Sequence, residues 1–232
     1  MQLFYCPGLK FSDDFLDREE SHHCANVLRK KEGDIIDITD GYGNFYKAQI
    51  RNLNPKKCLF SVLSSVEVEK EHYSIHIAIA PTKNADRMEW FIEKAVEIGV
   101  NKISFLHTVN SERKRINLER IEKKAVSAMK QSVRAFLPEI MEMEPFSQII
   151  TTEKKDQNFI AHLDEHQTPF LEKLAIPGGS YLIIIGPEGG FTEEEISSAT
   201  AQQFQKVKIG DYRLRTETAG IVASTILNQI NH

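Results

Sequence analysis

The chain has 232 residues, 41% of them apolar and 27% charged, with a formal net charge of −4. That mix belongs to a soluble globular protein long enough for two small domains and able to build its core without disulfides or metal. It excludes a broadly basic nucleic-acid binder, and no apolar run approaches the ~18 residues of a membrane-spanning helix. Cys6, Cys24 and Cys58 form no C-x-x-C pair, so neither a zinc site nor a redox dithiol is expected. Cys24 follows His22 and His23, but adjacent histidines point apart, and no metal is predicted. The sparse, odd cysteine count fits a reducing cytosol. No basic segment leads into an apolar run near the start, so a cytoplasmic location is expected.

Residues 1–70 read as β-rich. Gly33 to Thr39 alternates polar and apolar residues, Asp40-Gly41 marks a turn, and Phe45 to Ile50 and Leu59 to Leu63 continue the pattern. Short strands at this spacing predict a small barrel, interrupted by a helical turn or two near Ser21 to Leu28. The charged stretch Glu67 to His72 lacks periodicity and reads as a linker. A second domain is expected over 73–232. Ile75 to Ala80 is a strand, Asp86 caps a helix that stops at Gly99, and Lys102 to His107 is a strand. A charged helix covers roughly Leu118 to Ala135, and Glu144 to Lys155 reads as a linker. Strands at Phe159–Leu163, Tyr181–Ile185 and Lys206–Ile209 alternate with helices at Phe170–Leu174, Thr192–Gln203 and Thr218–Ile230. The alternation predicts an α/β domain with a mostly parallel sheet covered on both faces.

Two strand-to-helix loops carry chemistry. In the first, a buried strand runs into Gly186-Pro187-Glu188-Gly189-Gly190, followed by a capping box from Thr192 to Glu195. Glycines at the carboxyl end of a parallel strand let backbone approach a ligand closely. The loop lacks a Lys-Ser/Thr pair and the G-x-G-x-x-G spacing, and Glu188 with Glu193, Glu194 and Glu195 would repel a pyrophosphate. A phosphate-free cofactor bearing positive charge suits it, and S-adenosylmethionine meets both conditions. Spacing alone equally allows a tight turn with a well-capped helix. The second loop, Val207 to Ala219, places Arg213 and Arg215 before a helix with Glu217 in its first turn. Arginine can orient a planar anion in bidentate fashion, whereas spacing alone favours an ordinary Arg–Glu pair.

Together, Ile185-Gly-Pro-Glu-Gly-Gly-Phe191 and Ile209-Gly-Asp-Tyr-Arg-Leu-Arg-Thr-Glu-Thr-Ala219 resemble the signature of the small-subunit ribosomal RNA uridine N3-methyltransferases of the SPOUT superfamily. His22 to Arg29, Asp86 to Gly99, Ser111-Glu-Arg113 and Gln131-Ser-Val-Arg134 fit the same family, although Val133 stands where many members have glycine. The resemblance implies an N-terminal PUA-like β-barrel that holds RNA, a C-terminal domain with a trefoil knot, a homodimer, and N3-methyluridine in 16S ribosomal RNA of the small subunit as product. On this reading the cofactor is expected against Ile185, Gly186, Glu188, Gly189, Gly190, Ile209, Gly210, Leu214, Thr218 and Ala219. Arg215 is expected on the uracil oxygens or an adjacent phosphate, Glu217 as a positioning group or base, and His22, Arg29, Arg113 and Arg134 in RNA contact. Residues 1–72 hold ten Lys+Arg against twelve Asp+Glu, so any basic footprint there is local, with Arg29, Lys30 and Lys31 its best patch. Two rival readings remain at this level: a nucleotide-dependent oxidoreductase on a doubly wound sheet, and a non-enzymatic RNA-binding module.

Overall fold

The computed structural model describes residues 2–11, 14–163 and 168–232. The chain divides into two compact units, one comprising Met1–Lys70 with Val126–Leu137, the other Glu71–Ala125 with Pro138–His232.

The first unit is built on a four-stranded sheet of β1 (Leu3–Tyr5), β2 (Ile35–Thr39), β3 (Asn44–Asn52) and β4 (Leu59–Glu67), in that spatial order. β1 and β2 are parallel and the other pairs antiparallel. Alternation decides the buried face: Ile36, Ile38, Ala48, Ile50 and Phe60 turn inward and pack with Phe4, Leu16, Cys24 and Cys58. The predicted Asp40-Gly41 turn joins β2 to β3. Buried Asp40 organises it, accepting from the backbone N–H of Tyr42 at 2.8 Å and of Asn44 at 3.1 Å. The short helix α1 (Arg18–His22) starts earlier than the sequence predicts, because Asp17 accepts from the Glu20 N–H at 2.8 Å and caps it. It continues as a wide π-helical turn over His23–Val27.

In the second unit, β5 (Tyr73–Ile79), α2 (Ala85–Ile98) and β6 (Lys102–His107) are followed by α3 (Leu118–Gln131), whose last turns belong to the first unit. Then come β7 (Glu139–Pro145), α4 (Phe146–Thr152), β8 (Gln157–Ala161), α5 (Leu171–Leu174), β9 (Gly179–Ile185), α6 (Glu193–Ala201), β10 (Gln205–Val207) and α7 (Thr216–Gln229). The six strands form one all-parallel sheet in the order β10-β8-β9-β5-β6-β7. Its central strands are buried on both faces, which is why they read as nearly continuous runs of Ile, Leu and Ala. On one face Ala78, Leu182 and Ile184 pack with Phe146, Ile149 and Ile150 of α4 and Ile196 and Ala199 of α6. On the other, α7 packs against β5, β9 and α2.

Three local expectations are corrected. Asn84, not Asp86, caps α2: its side chain accepts from the Asp86 N–H at 2.9 Å, leaving Asp86 in the first turn where the helix dipole favours it. The stretch 144–155 is not a linker. β7 reaches into it as a half-buried edge strand, too weakly alternating to announce itself, and α4 buries Phe146, Ile149 and Ile150 at helical spacing. α7 starts at Thr216 rather than Thr218, with Arg215 in the capping position. Phe91 of α2 is core, while Trp90 is 45% exposed.

Val133 closes α3 in a Schellman motif: the Arg134 N–H donates to the Met129 carbonyl at 3.0 Å and the Val133 N–H to that of Lys130 at 3.3 Å. The motif puts Val133 at φ 54°, a left-handed conformation that a β-branched side chain strongly resists. Such strain costs on the order of 1–3 kcal/mol. Val133→Gly should therefore raise stability by about 1 kcal/mol in chemical denaturation. An unchanged or lower midpoint would show that the strain is absorbed elsewhere.

A second local feature makes stability pH-dependent. His76 of β5 is buried, its Nε2 lies 2.7 Å from the Ser104 hydroxyl, and its Nδ1 lies 3.6 Å from the Glu153 carboxylate. Burial pushes its pKa down to about 3, against the opposing pull of Glu153 and with help from Lys102 and Lys155. The folded state thus holds His76 neutral, whereas the unfolded chain protonates it near 6.5. Proton uptake favours unfolding as pH falls from about 6.5 toward 3, by at most about 1.4 kcal/mol per pH unit. His76→Asn should flatten that acid limb in urea melts. Parallel slopes for the two proteins between pH 6 and 4 would assign it to other groups, such as Glu153, whose carboxyl is also held below its ordinary range.

Candidate active site

Both chemistry-bearing loops leave the carboxyl end of the same parallel sheet, from β9 and β10. They lie side by side, fastened by two bonds. Thr216 Oγ1 donates to the Gly186 carbonyl at 3.0 Å, and the Arg213 guanidinium donates to the Glu188 carbonyl. The first turn closes on itself, with the Gly190 N–H donating to the Pro187 carbonyl at 2.9 Å. Gly190 sits at φ 74°, where a side chain is strained. Gly186 lacks room for a Cβ, which would lie 2.9 Å from the Phe191 ring. At the start of α6 the capping box forms as read from the sequence: Thr192 accepts from the Glu195 N–H at 3.2 Å, and Glu195 accepts from the Thr192 N–H at 2.9 Å.

Between the loops lies a cavity of about 590 Å³, within the roughly 300–1,000 Å³ usual for small-molecule sites. Ile185, Gly186, Glu188, Gly190, Ile209, Gly210, Leu214 and Ala219 of the expected cofactor set line it, as does Arg215. Gly189 and Thr218 do not line it. Glu217 does not either; it is buried against α2, with one oxygen 3.7 Å from Arg87 Nε and the other without a hydrogen-bond partner. Of the four acidic residues near the first turn, only Glu188 reaches the lining, and Lys208, Arg213 and Arg215 line it too. The pocket is therefore not acidic, and the repulsion expected from four carboxylates does not operate there. Apolar walls with charges of both signs suit a zwitterion attached to a flat ring.

The four residues expected to touch RNA are divided between the units. His22 of α1 and Arg29 are exposed, and Arg134 is half-buried just beyond α3, all in the first unit. Arg113 lies in the second unit, half-buried, and donates to the Lys83 carbonyl at 3.1 Å.

Sequence reasoning missed Ala161, which ends β8, and His162 and Leu163 just after it, which complete one wall, and Tyr212, which is 84% exposed and lines the same cavity. Nothing in the sequence marks β8 as the neighbour of both β9 and β10; that adjacency follows only from strand order. The β5–α2 turn, where a dinucleotide fingerprint belongs, carries no glycine. Among the described residues no group of three or more His, Cys, Asp or Glu side chains is arranged for a metal, and no helix is long and apolar enough to cross a membrane.

A glycine-walled cavity at the carboxyl edge of a parallel sheet defines an α/β protein that binds a small molecule there. Residues 69–228 match the RNA methyltransferase domain, and residues 16–63 match the RNA methyltransferase PUA domain. The ribosomal RNA small subunit methyltransferase E of Buchnera aphidicola is 32% identical over 221 residues, covering 92% of this chain and 86% of that protein. A probable rRNA-methyltransferase from Porphyromonas gingivalis superposes with a TM-score of 0.93 at 41% identity, covering 100% of this chain and 98% of the other. The ribosomal RNA small subunit methyltransferase E of Neisseria gonorrhoeae, solved bound to S-adenosyl methionine, superposes with a TM-score of 0.85 at 26% identity, with coverage of 100% and 98%. The chain belongs to the RNA methyltransferase family, among the ribosomal RNA small subunit methyltransferases E.

Proposed function

We propose that this protein transfers a methyl group from S-adenosylmethionine to N3 of a uridine in 16S ribosomal RNA of the small ribosomal subunit. The observation that carries the reading is the cavity walled by the two glycine-bearing turns, in a chain similar to a relative solved with S-adenosyl methionine. The donor supplies an electrophilic methyl on a sulfonium; the protein supplies proximity, orientation and charge stabilisation.

The backbone of Ile185–Gly190 and Ile209–Leu214, with Ala219, holds the donor, while Ile185, Ile209 and Leu214 provide apolar wall for its ring. Glu188 faces the donor's positive groups. Gly189 and Thr218 act by shaping the turn and the helix start. Uridine N3 carries a proton and sits on the pairing edge, so the base must be unpaired, its proton released to solvent water and its developing negative charge stabilised while the N3–CH3 bond forms and the sulfonium S–CH3 bond breaks to leave neutral S-adenosylhomocysteine. Arg215, at the cavity wall and in the capping position of α7, takes that role on the uracil oxygens or an adjacent phosphate. Glu217, buried beside Arg87, is a positioning group rather than the proton acceptor.

His22, Arg29, Arg113 and Arg134 contact the RNA. Binding should weaken steeply with salt, log affinity falling with log salt by about 0.7–0.9 per phosphate neutralised. A flat response in filter-binding assays would remove phosphate contacts from the scheme.

The finer architecture belongs to the same reading: a PUA-like barrel, a trefoil knot and a cytoplasmic homodimer. The order of elements supports the knot, since the chain lays β10 at the sheet's edge and then returns through α7 to pack on β5 at its centre. The dimer is supported by a second cavity beside α7, lined by Phe170, Ile209, Ile226 and Ile230 together with Glu172 and Gln229, whose apolar part a second copy would cover. Light scattering should report twice 26.5 kDa.

Mass mapping of ribosomal RNA tests the function directly. A strain lacking the protein should lose one methyluridine from 16S RNA and regain it on complementation. Complete methylation without the protein would overturn the assignment. Saturable binding of S-adenosylmethionine separates it from a non-enzymatic RNA-binding module.

A further inference from the structure

The loop that follows β6 is fastened to the first glycine turn by two side chains. Asn110 Nδ2 donates to the Gly190 carbonyl at 3.1 Å and to the Gly189 carbonyl at 3.4 Å. The contact is close as well as polar: a Cβ on Gly189 would lie 3.0 Å from that of Asn110. Glu195 makes the second tie. One of its oxygens caps the Thr192 N–H, and the other accepts from the Val109 N–H at 3.0 Å. Glu195 is buried, so both oxygens are engaged by backbone donors away from bulk water.

The fastened loop is itself ordered. The Thr108 N–H donates to Ser111 Oγ at 2.9 Å, and the Ser111 N–H returns to the Thr108 carbonyl at 3.2 Å. Two residues on stands Arg113, braced against the Lys83 carbonyl. The glycine turn thus has two partners. Gly186, Glu188 and Gly190 line the cavity, whereas Gly189 does not line it and packs against Asn110.

We infer that Asn110 is a positioning residue through which methyl-donor binding at the glycine turn and RNA binding by the 108–113 loop strengthen one another. The inference rests on the proposed function for the identity of both ligands. A donor seated in the cavity holds the peptides of Glu188–Gly190 in one orientation. That orientation presents the two carbonyls to Asn110 and steadies the loop that carries Arg113. Thermodynamic linkage makes the effect reciprocal: RNA held by the loop tightens the donor site by the same factor. A group that served only to fold the loop would change each affinity without changing their dependence on each other.

The test uses the full-length protein, sinefungin as a donor analogue that cannot transfer methyl, and small ribosomal subunits from a strain lacking the modification. Calorimetric titration of sinefungin with and without saturating subunits gives the coupling factor. Subunits should tighten sinefungin binding at least about fivefold in the unaltered protein, the lower end of usual allosteric coupling. Asn110→Asp keeps the shape but turns a carboxylate toward two carbonyl oxygens; Asn110→Ala removes the donor without that repulsion. Because Asn110 is exposed, both variants should fold and bind sinefungin alone nearly as well as the parent, and both should lose the coupling. Coupling that persists in the variants, or is absent from the parent while both ligands bind, overturns the inference alone. A parent that binds neither sinefungin nor subunits overturns the proposed function as well.

Discussion

Arg215→Ala should reduce methyl transfer by about 10²–10³-fold, the usual cost of deleting one donor to a developing negative charge. The expectation follows from position. Arg215 lines the cavity, and its side chain makes no capping bond to α7, so its guanidinium is available to a ligand. The loss should appear in kcat rather than in donor affinity, because charge develops on uracil only as the N3 proton leaves. Arg215→Lys keeps the charge but not the planar fork, and should recover only part of the rate. Initial rates with unmodified small subunits, paired with calorimetry of the donor, separate the two effects. Full turnover by the alanine variant would remove Arg215 from the chemistry and return it to structural duty at the helix start.

Gly190→Val should abolish tight donor binding while leaving the sheet intact. At φ 74° a β-branched residue is strained by about 1–3 kcal/mol. The turn relieves that strain by moving, and its movement displaces the peptides that wall the cavity. Each 1.4 kcal/mol lost from the bound state is about a tenfold loss in affinity. Gly210→Val separates bulk from strain. Gly210 has no positive φ, and its added Cβ would meet no protein atom within 4 Å, so its extra methyls act only by taking up cavity space. Weakened binding in both variants fits a donor held between the turns. Donor affinity unchanged in both would empty the cavity of its assigned role.

Several features of the site were legible before the fold was known. The capping box of Thr192 and Glu195 is a local pattern, and it forms as spaced. Glycine after a buried strand marks a place where backbone meets a ligand, and Gly186 and Gly190 line the cavity. Other features were not legible for identifiable reasons. Glu217 sits two residues from Arg215 and spacing pairs the two, yet about half a helical turn carries it to the opposite side, against Arg87. By spacing alone, the acidic run after Gly190 sets the charge of the pocket. Helix α6 instead commits Glu195 to backbone N–H groups and leaves Glu193 and Glu194 exposed. Local spacing cannot show which way a helix turns its charges until its packing partners are in place.

Composition, strand alternation and capping patterns were enough to determine a β-rich N-terminal segment, an α/β segment with a parallel sheet, and the two turns that carry the site. These are properties of neighbouring residues, governed by periods of about two and 3.6. Tertiary structure alone decided that β8 lies between β9 and β10, that the two turns therefore meet, that 126–137 folds with the N-terminal unit, and that Asn110 reaches Gly189 across 79 residues of chain. Those contacts join residues far apart in sequence. What selects them is which apolar faces find one another in the core, and the local pattern records that such faces exist without recording their partners.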